Sequence, residues 1–255
     1  MKVILDAGHG GFDFGATNKD RKEKNDNLAL TLAVGERLEQ AGIPVEYTRT
    51  QDIYQSPYEK ADIANASDAD YFISIHRNAA DEPGTGSGVE TLVFDETSDL
   101  MALAEAINQN LEQVGYENLG VFPRPDLVVL NKIKMPSLLI EAGFIDNDKD
   151  NEIFERNFNE IASAIADAII QSNPMAMATV HAPKPVLYRV NVGVFRNEAY
   201  AYDLWRELII KGYPAFIYRK DGYHFVQVGA YHDLKDATNM ENRLRQAGYS
   251  TYITT

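Results

Sequence analysis

Residues 71–76, Tyr71-Phe72-Ile73-Ser74-Ile75-His76, read as a short buried strand that ends on an imidazole. Two other stretches repeat that form. Val3-Ile4-Leu5 leads through Asp6-Ala7-Gly8 into His9, and Ser137-Leu138-Leu139-Ile140 leads into Glu141. Three apolar strands that each finish in a ligand or an acid/base point to one sheet, because ligands of open α/β sheets gather outside the carboxyl ends of the strands. A lone buried histidine is more often a hydrogen-bonded core residue than a ligand, so His9 or His76 alone carries little weight. Glu141 carries more, since a carboxylate that follows four apolar residues is rarely buried without a partner. Gly8, Gly10, Gly11 and Gly15 around His9 let backbone and substrate approach closely.

Outward from these strands, helix and strand signals alternate. Leu28, Leu32 and Leu38 with Ala29 and Ala33 make a helical face that stops at Gly42. Strand signals follow at Val45–Thr48 and Val89–Phe94, and helix signals at Pro57–Ala66, 99–114 and Ile153–Ile170. The expected first domain, residues 1–172, is an α/β fold with a twisted, mostly parallel or mixed sheet flanked by helices. Residues 173–186 hold Pro174, Pro183 and Pro185 among small residues without apolar periodicity, and read as a linker. Beyond it, Tyr188-Arg189-Val190-Asn191-Val192-Gly193-Val194-Phe195 recurs as His224-Phe225-Val226-Gln227-Val228-Gly229-Ala230-Tyr231, at an offset of 36. Each copy runs strand, helix, Gly-Tyr and second strand. Residues 187–255 are therefore expected to form a small ferredoxin-like α+β domain.

Composition limits the chemistry. With 255 residues, 45% of them apolar, the chain can bury one sizeable core and a small satellite. There is no cysteine, so a transition-metal site must come from Asp, Glu and the five histidines His9, His76, His181, His224 and His232. Residues 1–171 contain 14 Lys+Arg and 31 Asp+Glu, a balance of −17 that argues against nucleic acid or an anionic membrane as partner. Residues 187–255 contain 9 and 7, a balance of +2 that offers no electrostatic handle. No apolar run is long enough to cross a bilayer. The run before Gly8 is too short for the apolar core of a signal peptide, so the expectation is a protein made in the cytoplasm without an export signal. His9 and His76 supply two imidazoles. A catalytic zinc takes three protein ligands and keeps a place for water, so a carboxylate is missing. The segment before the first helix offers Asp20, Glu23 and Asp26, and spacing alone does not choose among them.

The motifs together are more specific. Asp6-Ala7-Gly8-His9-Gly10-Gly11 is followed by Asp13 and Gly15-Ala16. Glu23-Lys24 precedes Asn27-Leu28. Ser74-Ile75-His76 is followed by Asn78, and Pro136-Ser137-Leu138-Leu139-Ile140-Glu141-Ala142-Gly143-Phe144-Ile145 closes the set. In this order, over nearly all of 1–172, they resemble the N-acetylmuramoyl-L-alanine amidases of the amidase-3 type. The resemblance implies one zinc per chain on His9, Glu23 and His76, with Glu141 as the catalytic carboxylate and Asn78 as a candidate substrate contact. It implies hydrolysis of the amide between N-acetylmuramic acid and L-alanine in peptidoglycan, by a phage endolysin or a cellular autolysin that reaches the wall after release. Alternatives are a zinc peptidase cutting within the stem peptide and a non-catalytic wall-binding protein. Arg77 stands where the family usually has a small or apolar residue, and Lys60 where it usually has Arg; both put substrate contacts in question. Residues 187–255 resemble the SPOR domain, a peptidoglycan-binding module, through Val190–Gly193 and Val226–Gly229. If the four valines of these repeats face the core, Asn191 and Gln227 point to the open sheet face as candidate glycan contacts.

Overall fold

The computed structural model describes residues 1–172, 187–220, 222–231 and 233–255. The expected linker, 173–186, and the histidines His181 and His232 lie outside the described residues. The chain divides into two compact units, 1–182 and 183–255.

The first unit is built on a six-stranded sheet. In chain order its elements are β1 (Val3–Ala7), β2 (Thr17–Asn18), β3 (Arg21–Lys22), α1 (Glu23–Gln40), β4 (Val45–Tyr47), α2 (Pro57–Ala66) and β5 (Tyr71–Asn78). Next come β6 (Val89–Val93), α3 (Met101–Val114), β7 (Asn118–Pro123), α4 (Val128–Asn131), β8 (Ser137–Phe144), α5 (Asp148–Arg156) and α6 (Phe158–Gln171). The large sheet has the order β4-β1-β5-β8-β6-β7, while β2 and β3 pair as a small hairpin. β4, β1, β5 and β8 run parallel; β6 lies antiparallel to β8, and β7 parallel to β6. The sheet is thus mixed, with its parallel half holding the three strands singled out by sequence. All five residues of β1 are buried, the pattern of a strand covered on both faces.

Two helical layers do the covering. Ile4, Phe72, Leu92 and Leu139 pack with Ala61 and Ala64 of α2 and with Val129 and Leu130 of α4. Ala7 packs with Leu28 and Leu32 of α1 on the other face. Local chemistry sets the helix ends. Ser56 and Glu59 form a reciprocal capping box ahead of α2, with Pro57 in its first turn. α1 begins at Glu23, five residues before the apolar periodicity. It has no side-chain cap, and Glu23 and Asp26 occupy its positive end instead. The single closing helical region expected at 153–170 is two helices, broken at Asn157. β7 and the β2–β3 hairpin carry no apolar alternation and were not legible beforehand.

The second unit runs β9 (Tyr188–Phe195), α7 (Glu198–Ile210), β10 (Ala215–Lys220), β11 (Tyr223–Tyr231), α8 (Leu234–Gln246) and β12 (Tyr252–Thr254). Its sheet order is β10-β11-β9-β12, with every pair antiparallel. The two repeat strands, β9 and β11, sit in the middle, as in a ferredoxin-like sandwich. Val190, Val226 and Val228 are fully buried, and Trp205 of α7 donates its indole N–H to the Ala215 carbonyl at 2.8 Å.

Candidate metal centre

The parallel strands bring the chemistry to one edge. His76 lies opposite Glu141 in the β5–β8 register, and Glu141 lies opposite Glu90 in the β8–β6 register. Residues in register share a face, so His76, Glu141 and Glu90 form a row. His9 follows β1 with φ of 59°, a left-handed backbone that a non-glycine residue adopts at a cost. Gly10 and Asp13 clamp this turn by reciprocal backbone hydrogen bonds of 3.0 and 3.1 Å. The guanidinium of Arg49, 2% exposed, donates to the Ala7 carbonyl at 3.0 Å and the Gly8 carbonyl at 2.8 Å, fixing the approach to His9.

Glu23, first residue of α1, is the carboxylate that reaches this edge. His9 Nε2 stands 3.1 Å from Glu23 Oε2, and His76 Nδ1 stands 3.0 Å from Glu23 Oε1. One donor atom from each of the three residues lies within 4.8 Å of the others. Donors held about 2.0–2.1 Å from a tetrahedral zinc are roughly 3.3 Å apart, so the two imidazole–carboxylate separations fit such an ion. Two of the three ligand candidates are also oriented from behind. Asp13 Oδ2 meets His9 Nδ1 at 2.9 Å, the carboxylate–imidazole pairing that fixes a metal-binding ring. The Asn27 amide donates to Glu23 Oε1 at 2.9 Å and the Ala16 N–H to Glu23 Oε2 at 2.8 Å. The glycines leave no slack. A Cβ on Gly8 would sit 2.4 Å from the His76 ring, and one on Gly15 would sit 2.4 Å from Glu23 Oε2 and 2.6 Å from His9 Cδ2.

Charge in the cluster is poised for a cation. Burial alone would raise the pKa of Glu23, but His76 and His9 hold it well below the ordinary carboxylate range. Burial would lower His9, and Glu23 with Asp13 outweighs it and raises the imidazole. Glu141 moves the other way: burial, then the negative charges of Glu23 and Glu90, push it well above the usual value. Its Oε2 is sealed from solvent and has no hydrogen-bond partner. Three carboxylates around two imidazoles, one with an orphaned oxygen, form a site that a cation would relieve.

The other candidates separate from the cluster. Asp20 is exposed, and Asp26 Oδ2 is taken by Arg21 at 2.6 Å and Arg77 at 2.7 Å. Arg77 points away from the row: it bonds the Gly143 and Phe144 carbonyls and Asn151, and lies over the Phe154 ring at 4.2 Å. Lys60 is buried on Asp6 Oδ1 at 2.7 Å and the Ala7 carbonyl at 2.6 Å. Both departures from the family pattern are therefore held in internal networks. Asn78 sits at the edge but donates to Glu90 at 2.8 Å. Asn191 and Gln227 depart from the expectation of an open sheet face, being 0% and 1% exposed. Phe216 lies opposite Gln227 in register, and Tyr218, stacked on Phe225, reaches Asn191 with its hydroxyl at 3.3 Å, so bulky neighbours occupy that face. The amides are satisfied internally, Asn191 also on Thr254 and Gln227 on the Gly229 carbonyl, as buried amides must be. Glu90 and Arg49 went unnoticed in the sequence. A lone Glu at the polar position of an alternating strand and an Arg just after a short one look ordinary until the sheet order is known.

The mixed-sheet α/β unit is thus of the class that gathers a cation-binding cluster at the ends of its parallel strands. The chain belongs to the N-acetylmuramoyl-L-alanine amidase family, which residues 3–171 match, and residues 184–255 match the SPOR domain. It is 30% identical over 228 residues to the N-acetylmuramoyl-L-alanine amidase CwlM of Bacillus licheniformis, covering 87% of this chain and 86% of that one. It is 34% identical over 179 residues to the endolysin of Bacillus phage SPP1, covering 66% and 65%. The catalytic domain of the amidase CwlV from Paenibacillus polymyxa superposes with a TM-score of 0.62 at 31% identity, over 68% of this chain and 98% of that one.

Proposed function

We propose that this protein hydrolyses the amide bond between the lactyl group of N-acetylmuramic acid and the L-alanine of the stem peptide, with His9, Glu23 and His76 holding one zinc ion and Glu141 moving the proton. The observation that carries this reading is the convergence of those three donors, within 4.8 Å, with Glu141 opposite His76 in the strand register. When bound, zinc supplies a water acidified toward neutrality and a Lewis acid for the scissile carbonyl. The remaining work belongs to the chain. Asp13 orients the His9 imidazole, and Asn27 and the Ala16 N–H orient the Glu23 carboxylate. Glu141, in register with His76, would take the proton of a water held there, once positive charge on those donors offset the charge of Glu23. Returning that proton to the nitrogen of L-alanine lets the amine leave. With no cysteine in the chain and none of these four side chains a hydroxyl, no covalent intermediate is required.

The second unit, by its match to the SPOR domain, is proposed to hold the enzyme on peptidoglycan. No described helix is long and apolar enough to cross a membrane. A digest of purified peptidoglycan tests the assignment: the expected products are glycan strands with a free lactyl carboxyl and stem peptides with a new amino-terminal L-alanine. New amino termini at any other stem residue would make the protein a peptidase.

A further inference from the structure

Two loops beside the ligand cluster hold aromatic rings out in water. Phe12 is 77% exposed, and Phe14, Ile53, Tyr54 and Tyr58 are exposed with it. A concentration of apolar side chains in one place on a surface marks a contact site. The Phe12 ring stacks on Tyr54, with centroids 4.1 Å apart and an interplanar angle of 28°.

This stack is fixed in place. Phe12 lies between His9 and Asp13, which bond each other at 2.9 Å, inside the turn closed by Gly10 and Asp13. Gly11 N–H donates to Asp52 Oδ1 at 2.8 Å, while Lys24 Nζ bridges the Gly11 carbonyl at 2.7 Å and Asp52 Oδ2 at 2.6 Å. A Cβ on Gly10 would meet the Ile53 carbonyl at 2.1 Å, and one on Gly11 would meet Tyr54 N at 2.7 Å, so the two backbones touch. The same ties that seat His9 and the residue after Glu23 therefore seat the aromatic pair. Packing within the fold gives no reason to brace a ring that water surrounds; binding does, because a preorganised surface loses little freedom on contact.

The sheet order separates this platform from the other flank of the cluster. The platform sits beyond β1 and β4. Glu90, Asn78 and Arg124 sit toward β6 and β7, where charge and amides suit a peptide with its carboxyl and amide groups. Tyr54 backs one face of the Phe12 ring, and the outer face of that ring, 77% exposed, suits the C–H face of a pyranose. We propose that the Phe12–Tyr54 stack is a saccharide subsite, on which a sugar of the glycan strand lies flat next to the muramic residue being cut. This proposal rests on the amidase reading.

The test uses the full chain and two substrates with the same stem peptide, one on a single muramic acid and one on a strand of several sugars. Phe12→Ala should lose about tenfold in kcat/KM on the longer strand, carried by KM, and at most about twofold on the single sugar. Phe12→Tyr should restore the longer substrate. Equal losses on both substrates, or none on the longer one, would overturn the subsite. A second measurement is independent of turnover. Phe12→Trp places an indole in the first unit, whereas the parent's single tryptophan, Trp205, lies in the second. Peptide-free glycan strands should change the added emission saturably, and free stem peptide should not. The reverse response would assign the platform to peptide, while failure of the parent to release L-alanine termini would count against the amidase reading instead.

Discussion

At the residue scale, the separation of roles between Glu141 and the three ligand candidates is the sharpest feature of the site. His9, Glu23 and His76 each point a donor at the others, whereas Glu141 Oε2 points at none. Glu141→Gln should therefore keep its zinc and its thermal stability, yet lose about 10²–10⁴-fold in turnover, the usual contribution of a general acid/base. Metal analysis beside an assay on purified peptidoglycan checks this; loss of zinc would make Glu141 a ligand. His9→Ala and His76→Ala should lose zinc and activity together. Zinc affinity should also depend on pH. A histidine must be neutral to bind metal, and Glu23 and Asp13 raise His9 above its ordinary 6.5, so affinity should already weaken as pH falls through that raised value. Titration of zinc binding between neutral and mildly acidic pH reads it out, and a flat profile would contradict the imidazole–carboxylate coupling. Gly8→Ala belongs here as well: its methyl group would strike the His76 ring, so zinc should weaken with little change in secondary structure by circular dichroism.

At the element scale, the ends of β1 and β5 are held by buried charges on opposite faces of the sheet. On one face Lys60 of α2 meets Asp6, which also accepts from Thr48 at 2.5 Å and Ser74 at 2.7 Å. On the other, Arg77 joins β5 to α1 through Asp26 and to α5 through Asn151 and Phe154. Removing one partner of a buried pair leaves an uncompensated charge, typically at 3–5 kcal/mol. Lys60→Met should destabilise the first unit by about that amount and Arg77→Met by less, because Arg21 still pairs Asp26, as read from denaturant midpoints. The pH dependence has a definite sign. Burial opposes ionisation of Asp6, but Lys60, Thr48 and Ser74 lower its pKa below 3.8. Its contribution is present above that value and disappears as pH falls through the lowered one. Lys60→Met should remove this dependence; an unchanged acid-unfolding profile would show that the pair does not set it.

At the scale of the whole molecule, the proposal gives cutting to the first unit and holding to the second. A fragment of residues 1–175 should still hydrolyse small soluble muropeptides but bind whole sacculi more weakly, because a tether raises the local concentration of substrate. Co-sedimentation with sacculi beside the soluble assay tests this. A fragment that binds sacculi as well as the full chain would give the second unit another role.

The parts of this protein fixed by local sequence are those with strong local physics. Apolar runs set β1, β5 and β8, the Ser56–Glu59 capping box and Pro57 set α2, and the repeat after residue 187 set the β–α–β pairs of the second unit. Set beside the family pattern, the sequence also named His9, Glu23 and His76 as one group, and the fold brings a donor from each within 4.8 Å of the others. What only the tertiary structure decided depends on neighbours distant in the chain. Spacing left Asp20, Glu23 and Asp26 equivalent; packing of α1 across the edge brings Glu23 to the two imidazoles and gives Asp26 to Arg21 and Arg77. Alternation put Asn191 and Gln227 on the face opposite the core valines, but alternation assigns a face, not its exposure: both are buried, and the aromatic side chains of β10 and β11 fill that face. Glu90 joined the site because β6 enters the sheet antiparallel beside β8, an order set by the burial of both sheet faces at once and not by any segment alone.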